Sequence, residues 1–302
     1  MEHPLLQSYG PLEGWHILLA IGVISIGFFT YQVQKATRLV MLGSPDSRFD
    51  SWSVRIREFI SGWLFQKKVL RDKVAGIMHV LMFWGFLMLS TDMFDLATAN
   101  AFSEKVLPEI LVGPWNGMVE LGYFMALIGC VSALTRRVVF TPEKLKGKSQ
   151  LEGNAILLLI FTITTTSFMV ESAESPSAFW EPIGYWFSER GLSEQTVILS
   201  YWAHMLAISV FLFLIPLSKH MHLVMAVPNV FFHDAGPMAR MRPLALGDDG
   251  KAVPLEDLDI DSFGVSTYNQ YSWRQLIDGW SCTSCARCQD VCPAYASGKG
   301  LN

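Results

Sequence analysis

Apolar residues in this chain come in long blocks rather than in alternation with polar ones. Five blocks, roughly 13–34, 74–95, 114–134, 151–171 and 197–225, reach the about 20 residues that a helix needs to cross a bilayer. Between them the pattern changes. In "SWSVRIREFISGWLFQKK", Trp52, Ile56, Phe59, Ile60, Trp63 and Leu64 recur at helical spacing with Arg and Lys beside them. That predicts an amphipathic helix lying on the inner membrane surface or packed under the bundle, and the two are compatible. The stretch "ESPSAFWEPIGYWFSERGLSEQ" places Trp and Phe where a membrane edge would be. "SWRQLIDGW" predicts a short helix just before the last cysteines. No internal repeat is visible. The pattern therefore predicts an all-α membrane protein: a five-helix transmembrane bundle over 1–227, a linker over 228–272, and a small terminal segment over 273–302.

Charge gives the bundle a direction. Residues 35–73 carry nine Lys and Arg, and residues 135–150 carry five. The other two loops carry one each, Lys105 and Arg190, among several Glu. By the positive-inside rule the basic loops are cytoplasmic, which predicts an outer N-terminus and an inner C-terminal tail at a cell's inner membrane. The first block is too long for a signal-peptide core, and no Lys or Arg precedes it, so it is expected to be retained. The whole chain is 51% hydrophobic and only 17% charged, against about a quarter charged for an ordinary soluble domain. No basic tract interleaved with aromatics points to nucleic acid.

Four of the five cysteines lie in the final stretch, Cys282, Cys285, Cys288 and Cys292, spaced C-x2-C-x2-C-x3-C and followed by Pro293. Three thiolates two residues apart can wrap three corners of a cubane, and a fourth before Pro ligates the other cluster in two-cluster ferredoxins. A zinc site more often shows two separated Cys pairs. On the inner side of a membrane disulfides are disfavoured and metal binding favoured. The motif predicts a cytoplasmic, ferredoxin-like [4Fe–4S] segment. Either Cys292 closes that cluster, or a second motif lies on another subunit or beyond Asn302; the expectation is a continuing chain with two clusters. Cys130, in the third block, reads as a small core residue.

Ionisable residues inside spans invite a functional reading. Haem b held between helices needs two neutral imidazoles at matching depth. His79 in the second block and His222 in the fifth both fall toward the inner side. His204 lies 18 residues before His222, about 27 Å along one helix, so it belongs to an outer level, where His16 is its partner. His220 is the alternative to His222. Each of these histidines could instead be interfacial, bonded to headgroups or backbone. Glu120, inside the third block, could help move protons at a quinone site or could pair structurally. The hydroxyls of "FTITTTS" at 161–167 are expected to bond their own helix backbone.

At these residues the blocks resemble the cytochrome b (gamma) subunit of respiratory nitrate reductase, whose fifth helix carries two haem-ligating histidines 18 residues apart, the second in a run matched here by "PLSKHMH" at 216–222. Residues 273–299, "WRQLIDGWSCTSCARCQDVCPAYASGK", resemble the iron–sulfur segment of heterodisulfide-reductase-related proteins. The two pieces occur fused in membrane iron–sulfur oxidoreductases, including candidate electron-transfer-flavoprotein:quinone oxidoreductases. The resemblance implies two haems b, a second [4Fe–4S] motif and further cysteine-rich domains. The chain departs from it at position 89, where a second haem histidine of the second helix is replaced by Leu89.

The function expected is electron transfer between a cytoplasmic donor, such as a flavoprotein or a dehydrogenase or reductase subunit, the cluster, haem b, and membrane menaquinone or ubiquinone. A haem- and cluster-bearing anchor of a larger respiratory complex is the alternative. A transporter would leave the cluster without a role.

Overall fold

A computed structural model of the chain describes residues 4–102, 108–141, 148–236, 254–257, 265 and 267–299. Ser8–Tyr9 and Leu12–Glu13 pair as a small antiparallel hairpin, a feature outside the all-α expectation. Its turn uses Gly10 at φ +70, a conformation that glycine adopts without steric cost. The helices follow: α1 Gly14–Val40, α2 Trp52–Phe59 continued by a π-helical turn at Ile60–Leu64, α3 Lys73–Phe102, α4 Glu109–Val138 and α5 Lys148–Glu171. After them come α6 Pro182–Ser188, α7 Glu194–Leu217, α8 His222–Phe231, α9 Trp273–Trp280, α10 Arg287–Asp290 and α11 Pro293–Ala296.

Among the described residues five helices are long and apolar enough to cross a membrane, over Gly14–Val40, Lys73–Thr91, Ile110–Val138, Gln150–Glu171 and Glu194–Leu217. They correspond to the five apolar blocks, with one correction. The block 197–225 is not one helix. Pro216 removes a donor from the last turn of α7, and Ser218 is extended at φ −131, ψ 177. A single 3-10 turn, Lys219–Met221, follows before α8 starts at His222. The 27 Å spacing of His204 and His222 presumed an unbroken helix, so it does not apply.

The chain divides into two compact units, Met1–Thr30 with Gln66–Ser218 and Ser284–Asn302, and Tyr31–Phe65 with Lys219–Thr283. In the first, α3 lies against α4 where Gly85 faces Gly122. A Cβ on Gly85 would stand 2.7 Å from the Gly122 carbonyl oxygen, and one on Gly122 would stand 2.7 Å from Met88 Cβ. Lipid tails are as apolar as leucine, so this close backbone approach, rather than a hydrophobic force, is what holds two spans together. Leu89, at the departure from the resemblance, packs against Val119, Tyr123 and Phe168. α5 joins α4 and α7, and Cys130, fully buried, donates its thiol to the Leu157 carbonyl at 2.9 Å. Thr162, Thr164 and Thr166 each donate to the carbonyl four residues back, at 2.6 to 2.9 Å, as the sequence predicts. Leu19, Val23, Leu158 and Leu199 are all more than half exposed, a surface that suits lipid rather than water.

The second unit is built on Ala36, Val40, Met221, Met225 and Ile277, with Trp273, Leu276 and Trp280 packed around them. The amphipathic segment takes the packed alternative in part, since Phe59 and Trp52 meet Phe231 of α8. Trp52 and Ile56 remain about half exposed. Arg55, expected beside the apolar face, is buried. It donates to the Asp50 carboxylate at 2.7 Å and to the His233 carbonyl at 2.7 Å, which closes the C-terminal end of α8.

Candidate functional site

His204 sits on α7 and is 8% exposed. Its Nδ1 lies 3.0 Å from the Ile163 carbonyl oxygen and 3.1 Å from Thr166 Oγ1, both on α5. A carbonyl can only accept, so Nδ1 carries the proton and Nε2 keeps its lone pair. That is the neutral tautomer in which imidazole binds a metal, held by the kind of backbone contact that fixes ligand histidines.

His222 repeats the arrangement at the start of α8. Its Nδ1 donates to the Lys219 carbonyl at 2.8 Å. Burial pulls its pKa below the ordinary histidine value, opposed by that hydrogen bond. His220 lies beside it, with ring centroids 5.8 Å apart. His79 is half-buried on α3 and belongs to the first unit, whereas His222 belongs to the second.

His16 differs from the others. It is exposed, stacks on Trp15 at 3.6 Å, and accepts a hydrogen bond on Nδ1 from the Glu13 backbone N–H at 3.2 Å. In the neutral ring Nε2 then carries the proton.

Glu120 is 3% exposed and its carboxylate is occupied. Oε1 accepts from the backbone N–H groups of Ile183 at 2.6 Å and Gly184 at 2.8 Å, in the first turn of α6. Glu181, also buried, accepts from Asn116 Nδ2 at 3.3 Å. The Glu171 carboxyl group packs on Gly184, where a Cβ would meet its Oε2 at 3.0 Å. Three carboxyl groups thus gather at the end of α4 and α5. The sequence marked only Glu120, because the other two sit at span edges where Glu is ordinary.

Cys282 follows α9, Cys288 lies in α10, and Cys292 is the residue before α11, whose first position is Pro293. Cys282, Cys285 and Cys288 are exposed and Cys292 is half-buried. Ser284 and Ala286, either side of Cys285, have φ of 53 and 60. Left-handed backbone costs a non-glycine residue roughly 1–2 kcal/mol. Two such residues around one cysteine make a loop whose successive N–H groups can form the concavity seen at anion and iron–sulfur sites. The type and spacing of the four thiols suit a cluster, but the structure does not gather them around one point. Among the described residues no three of His, Cys, Asp and Glu converge as a metal-holding group.

Comparison with known proteins adds relatives. No family model matches the chain, and no solved structure matches it. It is 28% identical to a protein named EtfAB:quinone oxidoreductase from Syntrophomonas wolfei, over 99% of this chain and 45% of that one. It is 26% identical to a probable iron–sulfur-binding oxidoreductase, FadF, of Bacillus subtilis, over 95% of this chain and 41% of that one. A probable membrane-anchored ferredoxin of Chromohalobacter salexigens matches 18% of this chain at 38% identity. The chain thus spans less than half the length of the first two relatives.

Proposed function

We propose that the chain is the membrane and proximal-cluster part of an iron–sulfur oxidoreductase of the inner membrane, passing electrons between a cytoplasmic donor and membrane quinone. The observation that carries this reading is the pairing, on one chain, of a four-cysteine cluster motif with a buried and a half-buried histidine whose Nδ1 atoms are tied to backbone carbonyls. The names of the relatives support it. A flavoprotein, or a dehydrogenase or reductase subunit, is the donor class, and menaquinone or ubiquinone the acceptor.

Haem b and [4Fe–4S], when bound, supply the one-electron chemistry, and the protein's part is to hold, space and insulate them. Cys282, Cys285, Cys288 and Cys292 hold the cluster. His79 and His222 hold the inner haem. His222 is presented by the Lys219 carbonyl, which keeps Nε2 unprotonated. His204 serves an outer haem, presented by Ile163 and Thr166. For His16 to complete that pair it must give up its bond to the Glu13 N–H and move its proton to Nδ1. Glu120, on this reading, keeps the end of α6 closed over the outer side.

A haem- and cluster-bearing anchor for a separate catalytic part is the second reading. It is favoured by the match to less than half of the oxidoreductases' length.

The test is haem content. His79→Ala and His222→Ala should each remove one haem from the purified protein, measured as the pyridine haemochrome, and His204→Ala a spectrally different one. Full haem in both of the first two variants would overturn the inner assignment. Loss in His220→Ala instead of His222→Ala would move the ligand by two residues. A protein without haem absorbance would revive a transporter.

A further inference from the structure

Arg137 stands one residue before the end of α4, where the span Ile110–Val138 closes. Its backbone carbonyl is held from two directions. Thr141 Oγ1 donates to it at 2.6 Å, and Gln150 Nε2, on α5, donates at 3.3 Å. Its side chain lies on α5 at Gly153, where a Cβ would stand 2.5 Å from Nη1 and 2.8 Å from Cζ. Glycine at 153 is what lets the guanidinium occupy that place.

Nothing in the chain receives the group. Arg137 Nη1 is buried and has no hydrogen-bond partner among the described residues. Glu152 of α5 attracts the guanidinium through space, and Arg136 repels it. The Oδ1 of Asn154, next along α5, is buried and unpartnered as well. An arginine at a span end normally extends its charged head to water or headgroups. This one is turned onto a neighbouring helix, and a charge taken from water without a partner is costly. Such a group in a folded protein calls for an ion or a ligand.

The surroundings select that ligand. Val138, Val139, Phe140 and Leu151, at the same helix ends, are exposed apolar side chains, which suit acyl chains rather than water. Residues 135–150 carry five Lys and Arg. Basic pockets between spans at a membrane face take the phosphates of lipid headgroups. The planar fork of arginine matches a phosphate with two parallel hydrogen bonds. A hydroxyl on the same headgroup can donate to Asn154 Oδ1, an oxygen that only accepts. Phosphatidylglycerol offers both groups.

We propose that Arg137, seated on Gly153 between α4 and α5, binds the phosphate of an anionic phospholipid of the phosphatidylglycerol class. The site requires α4 and α5 to border a bilayer. It requires no cofactor, and it stands whether or not the chain transfers electrons.

The full chain is purified in detergent and stripped of lipid. Phosphatidylglycerol, phosphatidylcholine or inorganic phosphate is then added. Bound lipid is counted by native mass spectrometry, and thermal unfolding is followed in parallel. Phosphatidylglycerol should fill one tight site and raise the melting temperature with its concentration, as a ligand of the folded state does. Arg137→Gln should weaken that site by roughly tenfold or more, the scale of one lost charge-assisted hydrogen bond. Arg71→Gln, which removes an exposed charge from the turn before α3, should leave it unchanged. Gly153→Ala should weaken it without any loss of charge, because the new Cβ displaces the guanidinium. Equal binding by Arg137→Gln and the unsubstituted protein would overturn the proposal. So would phosphatidylcholine binding as tightly as phosphatidylglycerol, or no tight lipid site at all. Inorganic phosphate matching the lipid's effect would overturn the lipid and leave a free anion in its place. If Arg137→Gln does not fold, Gly153→Ala decides, and normal binding in that variant refutes the site.

Discussion

Glu120 shows what a single residue can and cannot disclose from sequence. Its place in an apolar block marks it as costly and therefore purposeful. Its use depends on Ile183 and Gly184, more than sixty positions away, and nothing near Glu120 in the chain announces them. The structure separates its two readings into testable variants. Glu120→Ala leaves two buried N–H groups unsatisfied, at about 1–3 kcal/mol each, and should lower the melting temperature in detergent. Glu120→Gln keeps an acceptor oxygen and should melt within a few degrees of the unsubstituted protein. If Glu120→Gln nevertheless slows quinone reduction, the carboxyl group handles protons as well as closing α6. The histidines divide in the same way. The sequence places His204 within a span, as the structure does, but it places His222 in the same span, which the structure ends at Leu217. Nor does it show Thr166 or the carbonyls of Ile163 and Lys219, because those contacts come from helix pairing and from a turn that replaces the expected helix. Ser284 and Ala286 carry no signal at all for left-handed backbone, which glycine or asparagine would have given.

At the scale of elements, length and apolarity sufficed to find the five spans. They failed at the end of the fifth, where Leu223 to Val227 continue the apolar run although α7 has already stopped. Pro216 was the available signal, outweighed there by hydrophobicity. The partner of each span was illegible too, except for the glycines. Gly85 and Gly122 let α3 and α4 touch backbone to backbone. Gly122→Leu would force them apart, since no side-chain shift can clear the Gly85 carbonyl and the Leu89 nitrogen, each 3.0 Å from a Cβ. Overpacking of this kind costs about 1–3 kcal/mol or more. The variant should melt earlier in detergent and be cleaved faster by protease, while Gly22→Leu on α1, where a Cβ meets nothing within 4 Å, should behave as the unsubstituted protein.

For the whole molecule, the basic loops predict which way the chain faces, and the cysteines offer the means to check it. Cys282, Cys285 and Cys288 are exposed, whereas Cys130 is sealed between α4 and α5. After iron is stripped with a chelator, a membrane-impermeant maleimide should label the terminal cysteines in inside-out vesicles and spare them in right-side-out ones. Cys130 should stay unlabelled in both until the protein is denatured. Labelling of the terminal cysteines from the outside would reverse the orientation, and with it the side from which any donor must come. The mainly helical, membrane-spanning character could be read from the sequence because it rests on composition and block length. The division into two units could not, since each is assembled from segments far apart in the chain.

The stop at Leu217 bears on how such a protein could be made. The 24 residues of α7 rise about 36 Å at 1.5 Å each, enough to use up a hydrocarbon layer of about 30 Å. In the orientation that the basic loops predict, the insertion machinery could therefore release α7 to lipid while Lys219, His220 and His222 are still on the side where the ribosome stands. If His222 holds an iron-bearing macrocycle as proposed, that group would have no barrier to traverse and could be delivered after the bundle has assembled. His204 is committed to the bilayer earlier, so a macrocycle bound there would have to arrive through lipid or during synthesis. On the proposed assignment, the two histidines would be filled by separate routes and in a fixed order.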